Sequence, residues 1–153
     1  MHDIQRVLLS SEVRDLNDEV GRLFEDLDRT LGPSRRTPVG HCTPVLDVRE
    51  TTEALEVVVD LPGVTPECVR VLIKNAVLIV AGEKPWPYPA GRGDATFHLV
   101  ERSFGRFARA VKLDGAIDAG RARAVLDGGE LRVSIPKLDE RRGKDIVVPV
   151  AAA

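Results

Sequence analysis

Few residues in this chain are equipped for chemistry. Its histidines are His2, His41 and His98, and its cysteines are Cys42 and Cys68. Only His41 and Cys42 are neighbours, and adjacent residues on an extended chain point to opposite sides, which makes a poor clamp for a metal ion. Two cysteines are too few for a disulfide framework, so both read as free thiols. No Gly-x-Ser-x-Gly elbow occurs, and no Gly-rich loop ends in Gly-Lys-Ser/Thr, which removes the common routes to acyl transfer and ATP hydrolysis. Gly91-Arg92-Gly93-Asp94 reads as a simple loop. An enzyme reading rests on unusual reactivity at Cys42 or Cys68 alone. No catalytic residue, metal site or cofactor site is expected, and interest moves to surfaces.

The composition narrows the kinds of partner. Of 153 residues 43% are hydrophobic, enough for one ordinary core with appended segments. The 22 basic and 24 acidic residues are scattered and sum to −2, and only 4% of residues are aromatic, so neither a one-signed field nor base-stacking platforms favour nucleic acid. No apolar run reaches the roughly 18 residues of a membrane span, and residues 1–6 lack the pattern of a signal peptide. A cytoplasmic location and no membrane partner are expected.

Three kinds of segment follow one another. Val13, Leu16, Val20, Leu23, Leu27 and Leu31, with Phe24 beside them, have the spacing of one helical face; Asp15, Asp18, Glu19, Glu25 and Asp26 make the other face mostly acidic. Gly32-Pro33 ends the helix, and the stretch to Pro44, with three prolines and two glycines, reads as a linker. Such a helix either packs on its own domain or uses the tether to reach another subunit or a client protein.

From Pro44 the period becomes two. Strands are expected at 45–49, 55–61, 69–74, 77–82, 96–102, 106–113, 121–126 and 131–135, separated by turn residues, with a Pro-rich loop from Lys84 to Asp94. Seven or eight short strands argue for an all-β domain of two packed antiparallel sheets. After the charged stretch 139–145 the chain ends in an apolar tail, where Ile146, Val148 and Val150 sit two apart and point the same way if extended.

Several separated pieces resemble, in order, the α-crystallin domain of the small heat-shock proteins: Pro44 to Val48, Asp60-Leu61-Pro62-Gly63-Val64, Leu78 to Gly82, His98 to Phe107, and Ala124 to Lys137. Two positions depart from the family pattern. Asp114 stands where a proline is usual, and Gly128-Gly129-Glu130-Leu131 replaces Asn-Gly-Val-Leu.

The resemblance implies an immunoglobulin-like antiparallel β-sandwich over 44–137, preceded by a helical arm and linker over 1–43 and followed by a flexible extension over 138–153. It implies an ATP-independent holdase, built as a homo-oligomer of dimers, that binds partly unfolded proteins. The other reading is a β-sandwich adaptor for one folded partner. By the same resemblance, strand 96–102 pairs with strand 45–49 of a neighbour, and Trp86, Tyr88, Phe97, Leu99, Val100 and Arg109 belong to the dimer interface. Ile146, Val148 and Val150 would dock in a groove lined by Val69, Val71, Ile73, Ala122, Ala124 and Leu126. Leu16, Val20, Leu23, Phe24 and Leu27 would form a client-binding arm.

Overall fold

A computed structural model describes residues 10–32, 40–88 and 95–138. Helix α1 spans Ser10–Leu31. It stops at Gly32, whose φ of 69° is the left-handed conformation that glycine adopts freely, with its N–H donating to the Asp28 carbonyl at 3.1 Å. Seven strands follow: β1 (Leu46–Glu50), β2 (Ala54–Asp60), β3 (Val69–Lys74), β4 (Val77–Lys84), β5 (Gly105–Lys112), β6 (Arg123–Asp127) and β7 (Glu130–Pro136). They form two antiparallel sheets, ordered β1-β2-β7-β6 and β3-β4-β5.

Alternation places the core. Leu55, Val57 and Val59 of β2 and Leu131, Val133 and Ile135 of β7 meet Leu78 and Val80 of β4 and Phe107 of β5 between the sheets. Hairpin β3–β4 turns on Asn75 and Ala76 and hairpin β6–β7 on Gly128 and Gly129, all four at positive φ, as a two-residue turn matched to strand twist requires.

One expectation changes. Residues 96–102 lie in no ladder; within one chain their backbone groups meet no strand edge, and a strand does not form without one. Of the two readings of the helix, the structure shows the one in which it packs on its own domain. β4 is apolar on both faces, so while Leu78 and Val80 point into the core, Ile79 and Ala81 point outward and still need cover. α1 supplies it, packing against β4, β3 and the 3-10 turn Pro66–Cys68.

Candidate binding surfaces

Four surfaces stand out, none of them a reaction centre. The first is the loop between β4 and β5. Trp86 packs edge-on against Tyr88 and Phe104, with ring centroids 5.2 and 4.9 Å apart, and Phe97 lies 5.9 Å from Trp86 and 5.1 Å from Tyr88. Lys84 and Arg102 stand over the Phe104 ring. The cluster is anchored at the buried Phe104 and open at its rim, where Phe97, Leu99 and Val100 are 50%, 74% and 57% exposed.

The second surface is the outer edge of β1, which pairs only with β2 among the described residues. Val45 and Val48 are exposed there. Arg109, on β5, donates to the Pro44 carbonyl just before β1, so within one chain its guanidinium is partly buried and ties this edge to the other sheet.

A groove of about 250 Å³ between β3 and β6 is the third, and Val71, Ile73, Ala122, Ala124 and Val133 are among its lining residues. The structure thus brings together four of the six side chains named from the sequence. Val69 is buried in the core and Leu126 packs against it, and neither lines the groove. The tail residues Ile146, Val148 and Val150 lie outside the described residues.

The fourth surface is the contact of α1 with the three-stranded sheet. Leu27 is 2% exposed, while Leu16, Val20, Leu23 and Phe24 are half-buried. Three carboxylates of the helix meet three cations of the sheet: Glu19 with Lys74, Asp26 with Arg70 (2.7 Å), and Asp28 with Arg106. Arg70 also donates to the Thr30 hydroxyl at 2.9 Å, and Arg106 stacks over the Phe24 ring. The hydrogen bond from the Lys74 ammonium holds the Glu19 carboxyl below its ordinary pKa, against the opposing pull of desolvation. The sequence carries a sign of this pairing, since Arg70 and Lys74 alternate with Val69, Val71 and Ile73 on β3 and the helix upstream is mostly acidic.

Among the described residues no group of three His, Cys, Asp or Glu side chains could hold a metal ion, and no helix is long and apolar enough to cross a membrane. Cys68 is buried and receives a contact from the Thr65 hydroxyl at 3.4 Å; Cys42 is half-buried, 3.9 Å from the Ser103 hydroxyl.

Two antiparallel sheets with an apolar groove, an open edge, an aromatic loop and a helix laid over one face define a protein that works through binding surfaces. Residues 47–151 match the model of the Hsp20/alpha crystallin family. The chain belongs to that family, whose members are non-enzymatic stress-response chaperones. It is 36% identical to the 22.0 kDa heat shock protein of Arabidopsis thaliana over 132 residues, 84% of this chain and 67% of that one. With a 21.9 kDa heat shock protein of rice the identity is 40%, over 65% of this chain and 52% of the relative, so the chain spans about half of that relative's length. Among solved structures, heat shock protein 16.0 of Schizosaccharomyces pombe superimposes with a TM-score of 0.62 at 30% identity, over 71% of this chain and 99% of that one. A small heat-shock protein of Xylella fastidiosa gives 0.59 at 27%, over 70% of this chain and 96% of that one.

Proposed function

We propose that this chain is an ATP-independent holdase that captures partly unfolded proteins from a dynamic homo-oligomer of dimers. One observation carries the reading: the loop cluster leaves Phe97, Leu99 and Val100 exposed on a segment in no ladder, while elsewhere in the same chain β1 keeps an open side among the described residues. Exposed apolar surface and an unpaired edge are both liabilities that proteins cover when they have no use. Exchange of residues 96–102 between two chains, each adding to the other's β1, satisfies both features at once. Residues 1–43 then act as an arm, 44–137 as the immunoglobulin-like sandwich and 138–153 as the extension.

The tail closes the assembly. Ile146, Val148 and Val150 laid in the β3–β6 groove are worth about 1.5–3 kcal/mol each before ordering costs are subtracted. Such contacts hold at rest and release under stress. Capture then lowers the free concentration of the non-native chain, on which aggregation steeply depends.

The experiment is light scattering from a heated, aggregation-prone enzyme without ATP, with this protein at near-equal subunit ratio. Suppressed scattering is expected; scattering that rises unchanged while this protein stays folded refutes the holdase. Changing Ile146, Val148 and Val150 to serine is expected to shrink the assembly to dimers by size-exclusion light scattering, and an unchanged mass refutes the tail-in-groove contact.

A further inference from the structure

The outer face of the three-stranded sheet is a channel with a basic fence. Register puts Leu72, Ile79 and Ala110 in one row and Arg70, Ala81 and Ala108 in the next. The floor is therefore made of aliphatic and small side chains, closed at one end by the buried Glu83 of β4, whose carboxylate lies 3.9 Å from Arg106. Arg70 and Lys74 stand along it on β3, and Arg106 and Lys112 on β5.

Helix α1 fits this face by charge and by spacing. It carries seven acidic residues against three basic ones. Glu19 and Asp26, seven residues apart, lie about 10 Å apart along a helix, and Arg70 and Lys74, four apart, about 13 Å along a strand. The two spacings agree within side-chain reach, so α1 runs antiparallel to β3 with one carboxylate on each cation. Asp28 then reaches across to Arg106. The floor is also wider than its occupant, because Ala108 and Ala110 remain exposed.

We propose that this face is a docking site for amphipathic client helices that carry carboxylates two turns apart beside an apolar stripe, and that α1 is its intramolecular competitor. The face recognises a helix by its side chains and uses no strand edge, which separates it from the tail groove and from the β1 edge. A helix with basic flanks is disfavoured by Arg70 and Lys74 on β3 and by Lys112 on β5, Arg106 being shared with Glu83. Covalent attachment gives α1 a high effective concentration, so an outside helix gains entry when its apolar stripe covers more of the floor than α1 does, since salt weakens its ion pairs and those of α1 alike. The identity of the ligand as a client rests on the holdase reading.

The test uses the full chain and a fluorescent peptide of the sequence of residues 10–32. With Glu19→Lys, Asp26→Lys and Asp28→Lys the chain's own helix is repelled from the fence, and the peptide is expected to bind about tenfold tighter than to the unaltered chain. The neutral set Glu19→Gln, Asp26→Asn and Asp28→Asn should move affinity the same way by less. Adding Arg70→Glu and Lys74→Glu to the reversed set, which repels the peptide and recaptures the reversed helix, should abolish the gain. Equal affinity for reversed and unaltered chains, or binding that survives reversal of Arg70 and Lys74, overturns the proposal.

Aggregation suppression is measured in parallel on the same proteins. Failure of every protein to suppress refutes the holdase and leaves the docking face to the peptide result. Undiminished suppression of an acidic helical client by an Arg70→Glu, Lys74→Glu chain overturns the client assignment alone. A disulfide joining a Glu19→Cys chain to a Lys74→Cys chain, both in a Cys42→Ser background, would give the face to a second copy and likewise overturn it.

Discussion

Truncating Leu27 to alanine should loosen the helix without loosening the sandwich. Leu27 is buried yet absent from the cluster between the sheets, so its burial comes from the contact of α1 with the outer face of the three-stranded sheet. Leucine-to-alanine changes in closed cores cost about 2–5 kcal/mol, and a site beneath a helix that can settle inward belongs to the lower part of that range, about 2–3 kcal/mol. At about 1.4 kcal/mol per tenfold, the opening equilibrium of the helix rises roughly 30- to 150-fold. Every member of the inter-sheet core is kept, so the loss falls on the helix as a local unit. Amide hydrogen exchange reads this directly: amides between Leu16 and Leu31 should speed up by that factor, while those of β2, β4 and β7 hold their rates. Equal acceleration in helix and strands would mean one cooperative unit, and no acceleration would mean that Leu27 does not hold the helix down.

The Glu19 pKa is depressed by Lys74, so its contribution is present above the ordinary glutamate value of about 4.3 and is lost as pH falls through the lower folded-state value. Acidification through that window should weaken the docking of the N-terminal half of the helix, and Lys74→Met should raise the Glu19 titration seen by carboxyl NMR; an unmoved titration refutes the pairing. Gly105→Ala places a Cβ 2.1 Å from the Gly40 carbonyl oxygen at a φ of 107°. It should cost about 2–4 kcal/mol in urea unfolding and detach the Gly40–Cys42 segment from β5; a loss under about 1 kcal/mol contradicts the close approach.

The strands were legible because one face of each is buried, which writes a period of two into 55–61, 69–73 and 131–135. The segment 96–102 has strand-forming residues as well, but a strand is a relation to an edge, and a single chain offers none there. The apolar stripe of α1 declared a helix without declaring its target. That target was written in β4, where Ile79 and Ala81 break the alternation of a half-buried strand and demand a second cover. Alternation puts Val69, Val71 and Ile73 on one side of β3, but it does not say how deep each lies, and Val69 is buried in the core while Val71 and Ile73 line the groove. Leu126 shares a face with Ala124 yet stands nearer the β6–β7 turn, outside the lining.

The pairing of β2 with β7 sets the order in which this protein can assemble. Hairpins β1–β2, β3–β4 and β6–β7 join neighbours in sequence, whereas Asp60 meets Glu130 with the whole of the three-stranded sheet between them. Contacts across so much chain pay their loop-closure entropy before they return any stability, which makes them late. As the chain leaves the ribosome, β2 must wait with one edge unpaired until β7 emerges. A newborn copy of this protein therefore passes through a state with the same kind of open edge that a finished copy is proposed to offer its neighbours.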